Sequence, residues 1–255
     1  MILNYCLKDT DIKKFNSDGY IVCKNLFKKT ITNKIIDSTN EIQKFKEIKG
    51  KWMNYYDLSL KNKKKFILTR IENFYDYHSI IKKILSDKSL KLQLKKLTGE
   101  NVHLFKDKIN FKLPGSKGFK PHQDATIWKN MYGIKSFLTM VISVDKSNIR
   151  NGCLEFSKYK KKRLISKSWK EIPKKVEKKL TWETIKTNPG DVIFFHDYTP
   201  HRSADNLSSK KRRMIFLTFN KKRYGDFRKK HFHDKRKNYP PNIERDPNKD
   251  YTFHV

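Results

Sequence analysis

The chain has 255 residues, of which 36% are hydrophobic and 13% aromatic. That is enough apolar surface for a packed core, and it excludes wholesale disorder. No stretch reaches the roughly 18–20 apolar residues that cross a bilayer. Met1–Lys14 carries charges from Lys8 onward and no apolar h-region, so neither a membrane anchor nor a secretory signal is expected, and a cytoplasmic protein is.

Lys and Arg number 59 against 26 Asp and Glu, a formal net charge of +33. Such a balance raises nucleic acid as a partner. Only ten of the basic residues are arginines, however, and the lysines are spread along the whole chain beside frequent Asn and Ile. The pattern is that of coding drift in an AT-rich genome, with Lys filling solvated positions. A nucleic-acid reader would cluster its Arg and Lys on one element. Cys6, Cys23 and Cys153 are far apart and form no CxxC pair, which fits a reducing compartment.

In chain order, Asp9, Thr10 and Asp11 offer an N-cap before Ile12 and Phe15, predicting a helix over 10–18 that Gly19 ends. Tyr20–Cys23 reads as a strand. Ile31, Ile35, Ile36, Ile42 and Phe45 predict a helix over 30–48, and Ile80, Ile84, Leu85, Leu92 and Leu97 another over 78–98. After residue 100 the period changes. Short β-branched or aromatic runs at 102–111, 137–144, 152–156, 192–195 and 214–219 predict strands. The basic runs 158–163 and 221–237 read as loops or solvated faces. The expectation is one α+β domain over 1–255, with a mainly helical flank (1–100), a β core (101–220) and a basic C-terminal arm (221–255).

Two segments carry chemistry: Lys120–Trp128, and Asn188–Asn206 with its continuation to Arg213. His122 and Asp124, two apart on an extended segment, point to the same side. A predicted strand then leads to His201. Two His and one carboxylate on a β scaffold make a facial triad for iron(II) with three open positions. A 2-oxo acid can fill two of these and dioxygen the third. Arg212 could clamp the distal carboxylate of that acid. Arg213 would point the other way on a strand, and one of the two is expected to be a surface charge.

These motifs resemble the phytanoyl-CoA dioxygenase family of Fe(II)/2-oxoglutarate oxygenases. Thr10–Phe27 is similar to its opening helix and strand, Asn151-Gly-Cys-Leu-Glu155 to its NGxLE turn, and Pro189–Asp191 with Pro200–Ser203 to the approach to the second histidine. Within the family, Gly50–Met53, Leu104–Gly115 and Asp234–Arg245 look like the organophosphonate hydroxylases. The resemblance implies a double-stranded β-helix (jelly-roll, cupin-like) core with flanking N-terminal helices. It implies His122, Asp124 and His201 as iron ligands, and Arg212, Ser203, Asn110 and Lys108 around 2-oxoglutarate. Lys106, Gln123 and Trp128 are candidates for the substrate. Related halogenases carry a small residue where Asp124 stands, so the carboxylate favours hydroxylation.

The expected activity is hydroxylation of a C–H bond in a small, anionic substrate, the best candidate being an organophosphonate such as 2-aminoethylphosphonate. The same chemistry on another small metabolite or an acyl-CoA is one alternative. A basic nucleic-acid-binding protein on a vestigial oxygenase scaffold is another. His196 beside Asp197 and the run His231-x-His233-Asp234 have ligand-like spacing, but the second is expected to be a solvated loop. The Pro-rich tail from Tyr239 is expected to pack over the domain. Oligomeric state leaves no mark in the sequence.

Overall fold

The computed structural model describes residues 1–125, 131–159, 163–165 and 171–251. Helix α1 (Asp9–Asp18) ends as predicted: Gly19 takes a φ of 83°, and its N–H donates to Phe15 O at 2.9 Å. Strand β1 (Tyr20–Cys23) follows at once. Helix α2 (Lys29–Gln43) stops at Gln43 rather than at 48.

The helix predicted over 78–98 is two helices, α3 (Ser79–Leu85) and α4 (Lys88–Thr98). Asp87 separates them. Its Oδ1 accepts from Ser89 N at 2.8 Å and Leu90 N at 3.3 Å, which offers the backbone a partner outside a continuous helix. The first hundred residues also hold a hairpin that the helical expectation missed, β2 (Met53–Leu58) paired with β3 (Phe66–Glu72).

The remaining strands are β4 (Val102–Lys112), β5 (Phe119–His122), β6 (Phe137–Ser143), β7 (Leu154–Ser157), β8 (Trp182–Ile185), β9 (Val192–His196), β10 (His201–Ser203) and β11 (Arg212–Lys221). A short helix α5 (Lys174–Glu177) precedes β8. The strands make a seven-stranded sheet in the order β1-β9-β6-β11-β4-β3-β2 and a four-stranded sheet in the order β5-β10-β7-β8. All pairings are antiparallel. This is the expected α+β fold with a jelly-roll core.

Side-chain alternation sorts the large sheet into two faces. Ile71, Ile109, Met140, Ile142, Val192, Phe194, Ile215 and Leu217 share one apolar cluster with Phe15, Ile35, Leu90 and Leu94 of the helices. Val141, Ile193, Phe195, Met214 and Phe216 face the other way and pack on Leu154, Phe156 and Ile185 of the small sheet. Each fully buried aromatic here stabilises by roughly 1.5–3 kcal/mol relative to exposure. The inner face is apolar under β1, β6 and β9. Along β4 and β3 it turns polar.

The basic run 221–237 is not a loop. It contains helix α6 (Arg228–Asn238), with Arg228, His231 and Phe232 buried. Arg228 pairs with the buried Asp107, and the His231 ring lies tilted against Phe105 with centres 4.5 Å apart. The tail beyond it packs over β2 as expected: Tyr55 Oη donates to Tyr239 O at 2.9 Å, and Tyr56 N to Asn242 Oδ1 at 3.0 Å. Among the described residues, no helix is long and apolar enough to cross a membrane.

Candidate active site

Strands β5 and β10 pair so that His122 and His201 stand directly opposite each other. Their rings lie 4.2 Å apart, centre to centre. Each imidazole Nδ1 faces a backbone carbonyl, Lys120 O at 2.7 Å and Thr199 O at 3.0 Å. That fixes Nε2 as the free, lone-pair-bearing nitrogen on both rings, as metal-ligating histidines require. Asp124 Oδ1 lies 3.8 Å from His122 Nε2 and 4.0 Å from His201 Nε2. One ligand atom from each residue falls within 4.8 Å of the others, and among the described residues no other group of His, Cys, Asp or Glu does this. Burial, then His201, push the His122 imidazolium down to about 3, and burial lowers His201 likewise. Burial would raise the Asp124 carboxyl, but His201, His122, Lys108 and Lys106 together hold it below its ordinary value. Two neutral imidazoles and one carboxylate are the donor set that fits iron(II), with the opposite side of the metal left to small ligands.

Arg212 opens β11 and is 1% exposed. Its Nη2 donates to Gly152 O at 2.6 Å, its Nη1 lies 3.2 Å from Met214 Sδ, and its Nε has no partner. Among the described residues no carboxylate pairs with it. Gly152 sits in the Asn151–Glu155 turn at a φ of 71°, where an added Cβ would collide with Ala204 O. The residue that receives Arg212 therefore has to be glycine. Directly across the ladder from Arg212 stands Lys112. Its Nζ donates to Ser203 Oγ at 2.8 Å and to Ala204 O. Burial, and then Arg212, push the Lys112 ammonium down to about 6. Two buried cations and a hydroxyl thus meet on the inner face beside the histidines.

Lys106, Lys108, Asn110 and Lys112 follow one another at two-residue spacing on β4, so all four face inward. Lys106 and Asn110 are buried, and Asn110 Oδ1 has no hydrogen-bond partner. Lys108 Nζ lies over the rings of Phe216 and Phe119 at 4.9 and 5.7 Å. Burial, then Lys106, push it down to about 7. A cavity of about 280 Å³ is lined by Arg70, Asn110, Lys112, Phe119 and Lys120 among others.

Comparison with known proteins bears on this constellation. The family described as phytanoyl-CoA dioxygenase matches residues 15–214. The chain belongs to that family. The family is one of iron(II)- and 2-oxoglutarate-dependent oxygenases. A 2-aminoethylphosphonate dioxygenase of uncultured bacterium HF130_AEPn_1 is 38% identical over 241 residues, covering 94% of this chain and 91% of its own. A methylphosphonate hydroxylase of Gimesia maris is 30% identical over 239 residues, covering 93% and 90%. The fold is similar to that of EctD from S. alaskensis, solved with 2-oxoglutarate and 5-hydroxyectoine, at a TM-score of 0.70 and 17% identity over 86% of this chain and 78% of that one.

Several residues of this dioxygenase stand elsewhere than the sequence suggests. Arg213 is not a surface charge. It is 2% exposed on the outer face, with Nε and Nη2 donating to Asp145 at 2.8 and 2.9 Å and Nη1 to Asn40 at 2.7 Å. Gln123 is buried, and its amide is turned to the backbone: Nε2 donates to Tyr198 O at 2.6 Å, and Oε1 accepts from Ile165 N at 2.7 Å. It straps the segment around Ile165 to the triad loop. Trp128 lies outside the described residues. His196 pairs with Asp197 at 2.6 Å, apart from the triad. Lys112 escaped the sequence analysis, although the parity that selects Lys106, Lys108 and Asn110 reaches it two residues later. Arg70, Glu72 and Lys235 escaped as well.

Proposed function

We propose that this enzyme hydroxylates an organophosphonate, with 2-aminoethylphosphonate the best candidate, in the cytoplasm. His122, Asp124 and His201 would hold the iron(II), and Arg212, Lys112 and Ser203 the distal carboxylate of 2-oxoglutarate. The observation that carries this reading is Arg212, a buried guanidinium with no carboxylate partner among the described residues and one unpartnered N–H, on the face of the large sheet that packs on the small sheet carrying the two histidines. A buried charge needs a compensating charge, and a dicarboxylic oxo acid brings one. The substrate class rests on the two phosphonate-acting relatives, which align with this chain nearly end to end.

With iron(II), 2-oxoglutarate and dioxygen bound, such a site couples decarboxylation of the oxo acid to oxidation of a substrate C–H bond. The chain's own part is orientation and exclusion of water. Burial keeps the two imidazoles neutral, and the backbone carbonyls of Lys120 and Thr199 aim them. The Phe156 and Phe195 rings, 5.7 and 4.7 Å from the His201 ring, keep that side of the site dry.

The test is succinate formation from 2-oxoglutarate under air with added iron(II), with and without 2-aminoethylphosphonate, beside His122→Ala. Stimulation by the phosphonate that the variant abolishes is expected. Turnover that depends on His122 but ignores 2-aminoethylphosphonate and methylphosphonate alike would reject the substrate class.

A further inference from the structure

The cavity of about 280 Å³ has a buried end and an exposed one. At its inner end stand Asn110 and Lys112 of β4 and Phe119 of β5, the first two buried. At its outer end stand Asp57, Lys117, Lys120 and Glu171, all exposed. None of His122, Asp124 and His201 is among the described residues that line it. It therefore reaches Lys112, the ladder partner of Arg212, from outside without opening onto the candidate iron ligands. The Phe119 ring borders both regions: its centre lies 6.0 Å from Lys112 Nζ and 6.5 Å from the centre of the His122 ring. A five-carbon oxo acid entering oxo end first would cross that ring and leave its distal carboxylate at Lys112.

The turn that forms the mouth is fixed to the clamp. Gly115 N donates to Asn206 O at 2.7 Å, and Asn206 N to Ser116 O at 2.9 Å. Gly118 N donates to Asp205 Oδ1 at 2.5 Å, and Phe119 N to Ser203 Oγ at 3.3 Å. A Cβ added to Gly118 would stand 2.2 Å from Ser203 O, so glycine is what permits this approach. Ser203 Oγ and Ala204 O are the oxygens that receive the Lys112 ammonium. Residues 115–119 are thus laced to the same stretch, 203–206, that holds the clamp lysine. Lys117 rides on this turn.

The charged groups at the mouth differ in how they are engaged. Lys120 pairs with Glu171 at 2.5 Å, and Asp57 Oδ2 accepts from Thr69 Oγ1 at 2.9 Å. The Lys117 ammonium has no ion-pair or hydrogen-bond partner among the described residues. It is a solvated cation at the outer end of a cavity whose inner end is a buried one. An exposed charge so placed acts on the rate at which an anion arrives.

We propose that this cavity is the route by which 2-oxoglutarate reaches the clamp, and that Lys117 captures the diacid at its mouth, apart from the side on which the substrate approaches the metal. This rests on the reading above of Arg212, Lys112 and Ser203 as the clamp. The co-substrate then loads whether or not the substrate is already bound. Charge at Lys117 governs how fast 2-oxoglutarate arrives and not how long it stays, because the exposed ammonium takes no part in the bound complex.

The experiment is stopped-flow mixing of 2-oxoglutarate with the anaerobic iron(II)-loaded enzyme, read by the visible charge-transfer band of an iron(II)–2-oxo acid chelate. Wild type is compared with Lys117→Glu, Lys117→Arg and Lys91→Glu, the last an exposed lysine of α4 on the far side of the large sheet. Lys117→Glu should lower the association rate constant roughly 3- to 10-fold at low ionic strength. The effect should shrink as salt screens it, and the dissociation rate should stay as in wild type. Lys117→Arg and Lys91→Glu should both match wild type. In a Cys6→Ser background, a bulky neutral maleimide on Lys117→Cys should slow association relative to the unlabelled chain. Prebound 2-aminoethylphosphonate, its occupancy set by calorimetry, should leave the wild-type association rate unchanged. Equal slowing by Lys117→Glu and Lys91→Glu would reduce the effect to overall charge and overturn the route. Slowing by prebound phosphonate would also overturn it, as would a Lys117→Glu variant that binds phosphonate more slowly but 2-oxoglutarate normally; either gives the cavity to the substrate. A wild-type enzyme that forms no chelate would sink the clamp reading itself.

Discussion

Burying a guanidinium costs several kcal/mol unless an anion compensates it, and Arg212 is buried with its ladder partner Lys112 adding a like charge. The apo site stores that repulsion as a lowered proton affinity: burial and Arg212 push Lys112 down to about 6. The sign of the consequence follows. Near pH 7.5 Lys112 is largely neutral in the free enzyme. A bound carboxylate favours the ammonium, so binding raises its pKa and takes up a proton. Affinity for 2-oxoglutarate must then fall as pH rises above about 6, by at most tenfold per unit, until the pKa of the complex is passed. Titrating 2-oxoglutarate into the anaerobic iron(II) enzyme, in two buffers of different ionisation enthalpy at pH 7.5, should show net proton uptake. Lys112→Met should abolish the uptake as well as weaken binding. Equal heats in both buffers for the wild type would refute the linkage.

Strand β11 shows what alternation can and cannot disclose. Its period of two separates Arg212 from Arg213 in the sequence alone, and the structure keeps them on opposite faces. Parity cannot report burial on both faces, because the helix that covers Arg213 on the outer one lies 170 to 173 residues away in sequence; Arg213 meets Asn40 and Gln43 of α2 there. The triad was legible because both motifs lie on extended segments where spacing translates directly into geometry. The β2–β3 hairpin was not, because Arg70 and Glu72 point inward while Ile67 and Ile71 point out, the reverse of the usual pattern. Helix α6 was hidden for a similar reason: its buried face is Arg228, His231 and Phe232, and two of those three are polar. The polar inner face that serves the site is what disguised its own elements. The outer-face ion pair yields a prediction of its own. Arg213→Met leaves Asp145 without its main partner and should cost about 1–3 kcal/mol of stability, seen as an earlier thermal melt. Because Arg213 is on the far side of β11 from Arg212, 2-oxoglutarate affinity should be retained. A loss of affinity without a loss of stability would contradict the assignment of faces.

Across the whole molecule, the +33 charge divides into two populations. Among the described residues Lys106 and Lys112 are buried on the inner face of β4, and Lys108 of the same strand and Lys235 of α6 are nearly so. The buried arginines Arg213 and Arg228 are matched on the outer side by Asp145 and by Asp107 with Asp76. The buried lysines among the described residues therefore gather at the site, and most of the other described lysines form a diffuse, solvated coat. A diffuse coat attracts polyanions through counterion release, without reading bases. Duplex DNA should bind at 50 mM salt with the same affinity for unrelated sequences, and that affinity should drop by roughly 10³–10⁵ at 200 mM if six to ten phosphates are neutralised. Fluorescence anisotropy with two unrelated duplexes measures both properties. A complex that survived 200 mM salt and discriminated between the sequences would require a nucleic-acid surface built from clustered residues, and would revive a role for the charge beyond the oxygenase. Collapse of both complexes together would confine the functional charge to the cations of the site.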